Sequence, residues 1–415
     1  MLYQFKVNRE KLHARLLYAI IFIPLFVDAL NGMFELVQFD FSIGRLFRGL
    51  LWFFGLLFLL AKKGLSFVEI FIPLWLIHVI VWYFSDEKFD FLMELSFLLK
   101  ATYFFVIYGV LAKIWQENKK KYIIKYLKLY FKAASGLICF SFFTNIGTSA
   151  YNGWGFGTKS FFLAANDIGI TILLLFTFFL FNRKSYKIHW AWIFIGYLSL
   201  ILLGTTTGMI ASTVVVIFYA LVEFFLKKMG VLKRLVIVFI SIIVVLVSSI
   251  SIYRLVESTP YFVNKYEKIL SKGIRSDVTK WSNQYFEERS TIKAMFGEGM
   301  SSFSKNFVSY AKGEKGKKTE EGAYVERDFH DFKGAYGLLL LLILIFAYGF
   351  LFLRIIVNLC NEQTIFYFSV VLIVLLVFLH GYFAGHVFYS PTVAGILASI
   401  FVLGVTNNPN RISSE

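Results

Sequence analysis

Residues Ala323 to Phe346, AYVERDFHDFKGAYGLLLLLILIF, set Glu326, Arg327, Asp328, His330 and Asp331 at the mouth of a leucine-rich run. An imidazole titrates near neutrality and can take the proton of an attacking hydroxyl, and a neighbouring carboxylate raises its basicity or fixes its tautomer. The chemistry this suggests is general-base activation of an alcohol, with His330 as first candidate and Asp331, Asp328 and Glu326 as the carboxylates beside it. If the segment becomes helical near Phe332, then His330, Gly334 and Gly337 fall at i, i+4 and i+7. That spacing gives a small-residue face under the imidazole, which a neighbouring helix or a substrate can approach closely. The competing reading is ordinary capping, because helix N-termini collect acidic side chains.

A second set of residues is cationic. The stretch RSDVTKWSNQYFEERSTIKAMFGEGMSSF, Arg275 to Phe303, repeats Arg275, Lys280, Arg289 and Lys293 on an amphipathic segment that ends in Gly297, Glu298 and Gly299. Arginine grips phosphate with two parallel hydrogen bonds and keeps its charge, so such a row beside a membrane, with Arg327 downstream, could hold a lipid diphosphate. A solvated face paired with Glu287 and Glu288 is the alternative. Arg45 and Arg48, in SIGRLFRGLLWFFGLLFLL (42 to 60), stand within one helical turn at the edge of an apolar run and call for an anionic partner. Lys100 lies inside another such run, ELSFLLKATYFF, where Glu94 is its expected partner.

Two further stretches place polar groups near span ends. GWGFGTKSFFLAANDIGI, 153 to 170, brings Asn166 and Asp167 just inside a helix, where they could line a cavity; LGTTTGMIAS, 203 to 212, reads as small-residue packing. His380 and His386 are six residues apart, which puts them off one helical face, so a metal pair is not expected, although His386 could line the same cavity. There is no Gly-Lys-Ser/Thr phosphate loop, no HExxH and no soluble domain large enough for a nucleotide sugar. No cofactor is therefore expected, and the energy for any transfer must come from the substrate itself.

These residues need elements to hold them, and composition identifies the elements. The 415 residues are 58% hydrophobic and 20% aromatic, and the 16% that are charged fall well short of the roughly one quarter usual in soluble domains. The fold class is an all-α polytopic membrane protein, since backbone in lipid must satisfy its own hydrogen bonds. At roughly 20 apolar residues per crossing, about twelve transmembrane helices are expected: 16 to 37, 44 to 61, 66 to 84, 92 to 112, 124 to 146, 160 to 181, 188 to 204, 207 to 227, 233 to 252, 334 to 357, 364 to 384 and 387 to 405. The first is expected to be retained, because no small-residue cleavage site follows a compact apolar core. Cys139 and Cys360 fall in or at the ends of apolar runs and read as packing residues.

The net charge of +16 is spread over short loops and not gathered on a soluble module, so nucleic acid is not an expected partner. Lys6, Arg9, Lys11 and Arg15, then Lys62 and Lys63, then Lys113 and Lys119 to Lys121, then Arg183, Lys184 and Lys187, then Lys227, Lys228, Lys233 and Arg234 occupy alternate connections. Excess Lys and Arg marks the inner side. Both termini are then expected in the cytoplasm, and the long hydrophilic stretch outside it. The expected organisation is residues 1–252 with nine spans, 253–333 as one large, partly helical extracytoplasmic loop, and 334–415 with three more spans and a tail.

In this order of features the chain resembles the O-antigen polymerase and O-antigen ligase superfamily, bacterial membrane glycosyltransferases of the GT-C type. The resemblance rests on IGRLFRG, on a Gly-rich loop leading to FFLAAND, on GTTTG, and above all on the Arg-bearing loop helix ending in FGEG before ERDFHDFKGAYGLLL. It implies a metal-independent enzyme of the bacterial plasma (inner) membrane that transfers glycans from undecaprenyl-diphosphate-linked oligosaccharides, with the bilayer and a chain-length regulator protein as partners. It also implies His330 as base with Asp331 or Asp328 assisting, and Arg289, Arg275 and Arg48 as diphosphate ligands. Asp331, where relatives often carry Asn, fits a polymerase of O-antigen, capsule or exopolysaccharide repeat units better than a ligase. The rivals from other classes are a lipid-linked oligosaccharide flippase, which would need no long ordered outer loop, and a membrane acyltransferase acting on sugars, which would more usually face its catalytic His and Arg to a cytoplasmic donor.

Overall fold

A computed structural model describes residues 2–39, 42–62, 66–85, 89–114, 120–150, 157–226, 274–315, 325, 327–362, 364–383, 385 and 387–406. Nearly all of this backbone is helical, as a solvent without hydrogen-bonding partners requires. In chain order the helices are α1 (Leu2–Ile21), α2 (Ile23–Leu36), α3 (Ile43–Ala61), α4 (Ser66–Ser85), α5 (Phe91–Ile114), α6 (Lys120–Thr144), α7 (Ala165–Phe181), α8 (Trp190–Leu202) and α9 (Thr206–Leu226). After the undescribed stretch come α10 (Ile274–Glu287), α11 (Thr291–Phe296), α12 (Met300–Lys315), α13 (Asp328–Glu362), α14 (Ile365–Phe383) and α15 (Pro391–Thr406). Among the described residues, seven helical stretches are long and apolar enough to cross a membrane, and α7, α8 and α15 are shorter apolar helices. The chain is a multi-pass membrane protein.

Several expected boundaries shift for identifiable reasons. The first expected span is two helices that meet at Phe22, where Pro24 occupies the opening turn of α2 and has no amide proton to continue α1. The sixth does not start at residue 160: Thr158–Ser160 (β2) pairs antiparallel with Thr148–Ser149 (β1), and α7 begins only at Ala165. The next turn of chain lies directly on α2, because a Cβ at Gly32 would collide with the Phe161 carbonyl. The helix expected to enter the membrane at 334 runs from Asp328 to Glu362 and breaks its geometry at Gly337. The ninth expected span, 233 to 252, lies outside the described residues.

Helix α7 is the central post. Every residue from Ile168 to Phe181 is buried, and the helix packs against α6, α8, α9, α14 and α15. A helix apolar all round can be buried all round. Its few polar side chains are satisfied locally: Thr171 and Thr177 donate to carbonyls one turn back, and Asn182 donates to Ser369 of α14 at 2.8 Å. Helix α3 is just as apolar but turns Leu46, Leu50, Phe53, Phe54, Leu57 and Leu60 outward, the surface a bilayer covers. Helices α11 and α12 pack on the first turns of α13, and α12 also touches α5.

Candidate active site

Four helices, α3, α7, α13 and α15, begin at one end of the bundle, where α2 ends. Between them lies a cavity of about 680 Å3 lined by residues of all five, together with Phe97 and Lys100 of α5 and Met300 of α12. Helix N-termini carry partial positive charge and unbonded amide protons, so this convergence favours an anion before any side chain is counted. Arg45, Arg48 and Lys100 add three cations to its wall.

The cavity's carboxylates mostly have partners within the protein. Arg48 pairs with Asp28 and also donates to the Thr392 hydroxyl, which in turn donates to Asp28 Oδ2 at 2.8 Å. This ties α2, α3 and α15 together. Asp167 accepts from Ser390 Oγ at 2.7 Å, joining the start of α7 to the turn before α15. Asp328 Oδ2 accepts from the Val387 and Phe388 amides at 2.8 and 2.9 Å, and Asp331 Oδ1 accepts from the Val325 amide at 2.9 Å. By contrast, no described residue hydrogen-bonds or ion-pairs at contact distance with the side chains of Arg45, Lys100 or Glu35, all of which line the cavity, although the Asp167 carboxylate acts electrostatically on Lys100. Arg45 is thus available to a ligand, and Lys100 stands beside it within the field of Asp167. Phe97 and Tyr389, with ring centroids 4.4 Å apart, supply an aromatic wall.

Beside the cavity, the loop helices are locked onto the neck of α13. Glu298 is fully buried; it accepts from Tyr285 at 2.7 Å, Lys293 at 3.3 Å and Asn306 at 2.9 Å, and forms an ion pair with Arg289 at 3.1 Å. Arg289 also donates to the Gly334 carbonyl at 2.9 Å. Burial, then the Glu298 carboxylate, pushes the Tyr285 phenol well above its ordinary value, so it acts as a donor. Burial lowers the Arg289 guanidinium while Glu298 opposes the shift, and an arginine stays charged throughout the working range. The Glu298 and Gly299 amides both donate to the Ala335 carbonyl, at 3.1 and 2.8 Å. Gly297 and Gly337 have φ of 76° and 72°, a left-handed backbone that favours glycine, and their backbones touch so closely that neither has room for a Cβ.

This docking revises the small-residue face expected under His330. Gly337 leaves the helix, which breaks the i+7 alignment, and Gly334 accommodates the Phe303 ring, so these glycines serve the loop and not the imidazole. The expected pairing of Lys100 with Glu94 does not form either. Six residues apart, the two occupy different helix faces: Lys100 lines the cavity, while Glu94 accepts from the Ser301 amide at 2.8 Å and its hydroxyl at 3.0 Å, pinning the start of α12.

Of the candidates read from the sequence, Arg45, Arg48, Asp167, Asp328 and Asp331 meet at the cavity. His330 is not part of its lining: it is half-buried, one residue before Asp331, with its ring centroid 6.2 Å from that of Phe286 on α10. Arg327 lies 5.9 Å over the Tyr382 ring, Lys280 is exposed, and Asn166 is half-buried beside Asp167. Glu326, His386 and the side chain of Arg275 lie outside the described residues. Asp28, Asn31 and Glu35 are not among the candidates drawn from the sequence, though their spacing of three and four residues is a polar stripe on one helix face. Among the described residues, no group of three His, Cys, Asp or Glu is arranged to hold a metal ion.

A family model described as O-antigen ligase like membrane protein matches residues 9–272. No curated protein matches the chain.

Proposed function

The chain belongs to the O-antigen ligase like membrane protein family, and on that premise we propose that it is a membrane glycosyltransferase polymerising polysaccharide repeat units. It moves a glycan from an undecaprenyl-diphosphate carrier to a hydroxyl of a second lipid-linked unit, on the outer face of the plasma membrane. The observation that supports this most is the cavity in which Arg45 has no described hydrogen-bond or ion-pair partner, next to Arg48 and Lys100 and under four converging helix N-termini. A diphosphate can pair with these cations, while Asp28, Asp167, Asp328 and Asp331 of the same lining accept from donors within the protein. The topology proposed with it has twelve spans, both termini in the cytoplasm and the 253–333 loop outside.

In the reaction, the acceptor oxygen attacks the anomeric carbon and the carbon–oxygen bond to the diphosphate breaks. The electron pair leaves with the carrier, whose charge Arg45, Arg48 and Lys100 stabilise. The acceptor's proton goes to the first turn of α13, where Asp331 lines the cavity and His330 adjoins it. Desolvated cations aimed at a leaving diphosphate are worth most when fixed in advance, and the Asp28–Arg48–Thr392 network fixes one of them.

The test is the purified chain in detergent with a lipid-diphosphate-linked repeat unit. A ladder of products is expected. The family's description favours a second reading, a ligase, which would give one transfer to a different acceptor and no ladder. If the chain gave neither product but moved the lipid-linked unit across vesicles, the flippase would replace both. Asp331→Asn and His330→Ala separate the two candidate bases: the true base variant should lose at least about 100-fold in rate, within the range general-base catalysis supplies.

A further inference from the structure

Helix α2 carries Asp28, Asn31 and Glu35 on the face that lines the cavity, and Gln38, in the turn just past its end, continues that lining. At 1.5 Å per residue this stripe runs about 15 Å, from the buried Arg48 network to the mouth. Its character changes along the way. Asp28 is bound to Arg48 and Thr392, and Asn31 accepts from the Gly44 amide of α3 at 3.4 Å, leaving its side-chain amide protons for the cavity. Glu35 and Gln38 are exposed, and no described residue bonds either side chain.

Gln38 is also in an unusual conformation. The Phe39 amide returns to the Phe34 carbonyl at 2.9 Å and the Gln38 amide to the Glu35 carbonyl at 3.0 Å, the hydrogen-bond pattern of a helix that ends in a left-handed residue. Glycine normally fills that position, yet Gln38 holds φ 56° there. A strained residue at the rim of a cavity, with its side chain unspent, is where function competes with stability.

We propose that Asn31, Glu35 and Gln38 form a glycan subsite that selects the sugar, distinct from the cationic wall that takes the diphosphate. The assignment rests on the glycosyltransferase reading. A carboxylate repels phosphate but accepts hydroxyl protons, and an amide both donates and accepts, which is the complement of a sugar's hydroxyls. Phe39 and Phe162, which also line this part of the wall, offer apolar faces beside the polar edge. Charge therefore divides one cavity into two: cations under the helix N-termini, and a hydroxyl-reading edge along the end of α2.

The experiment measures binding to the full chain in detergent with two probes. One is bare undecaprenyl diphosphate; the other is the undecaprenyl-diphosphate-linked oligosaccharide that accumulates in source cells lacking the protein. Gln38→Gly and Glu35→Gln should each weaken the glycosylated probe by about tenfold or more and leave the bare carrier unchanged, while Gln38→Gly melts at a higher temperature because the left-handed strain is gone. Gain of stability with loss of glycan affinity is an outcome that a merely structural role for Gln38 would not produce. Unchanged affinity for the glycosylated probe would overturn the subsite while leaving the proposed function standing. Equal loss of both probes would also overturn it, since the edge would then act on the diphosphate. If the unaltered chain bound neither probe, the proposed function would fall, and the subsite with it.

Discussion

Arg289 and Arg45 are the same residue type near the same end of the bundle, and they are used in opposite ways. The Arg289 side chain is 4% exposed, paired with Glu298 and bonded to the Gly334 carbonyl. Arg45 lines the cavity with no described partner. Arg48 lies between them, paired with Asp28 but still part of the cavity wall. A buried ion pair spends its charge on holding the fold, whereas an unpaired cation in a cavity keeps its charge for a ligand. Stability and binding should therefore rank these three arginines in opposite orders.

The largest stability effect is expected at Arg289. Removing one member of a buried pair leaves the other charge uncompensated, typically costing about 3–5 kcal/mol, so Arg289→Ala should melt well below the unaltered chain. The damage should be local, because what the pair holds is the FGEG turn against the neck of α13. Protease digestion should then cut within α10 to α12 before the rest of the chain. A midpoint within a degree of the unaltered chain would mean that the pair does not hold the loop.

Arg48→Ala should cost less. It removes charge-assisted bonds to Asp28 and Thr392 from a site that is only partly buried, where solvent screening holds the combined loss to about 1.5–3 kcal/mol. It should also weaken binding of bare undecaprenyl diphosphate, measured on the same sample. Losing stability with no change in carrier affinity would make Arg48 a purely structural residue.

How far the sequence revealed this contrast depends on what decides each feature. Hydropathy is a property of a segment, so the helices were legible: α3, α13 and α14 stand out from their apolar runs alone. Which apolar helix is buried was not legible, because lipid and protein interior are equally apolar. Helices α3 and α7 look alike in sequence, yet one faces outward and the other is the post at the centre. Arg45 and Arg48 stood out because charge in an apolar run is costly. Their difference did not, because the partners Asp28 and Thr392 come from α2 and α15, and Thr392 is 344 residues away from Arg48. Gly297, Glu298 and Gly337 were visible as a motif, but only the fold shows that the two glycines interlock and that the glutamate gathers Tyr285, Arg289, Lys293 and Asn306.

Arg45→Ala is the sharpest test because its expected effect on stability is the smallest. With no described partner to lose, its midpoint should stay within about 0.5 kcal/mol of the unaltered chain, as for most substitutions away from packed or paired sites. Its affinity for bare undecaprenyl diphosphate should nevertheless fall by roughly 10- to 100-fold, the equivalent of one charge-assisted phosphate contact. Lysine at the same position should restore part of this, since it supplies the charge but not the two-pronged geometry. A second substitution, Lys100→Ala, should add to the loss without moving the midpoint much further. If Arg45→Ala destabilised the chain as much as Arg289→Ala and bound the carrier normally, the opposition between the two arginines would be wrong. The anion site would then have to be sought away from this cavity, with Arg289 and the loop helices as the next place to look.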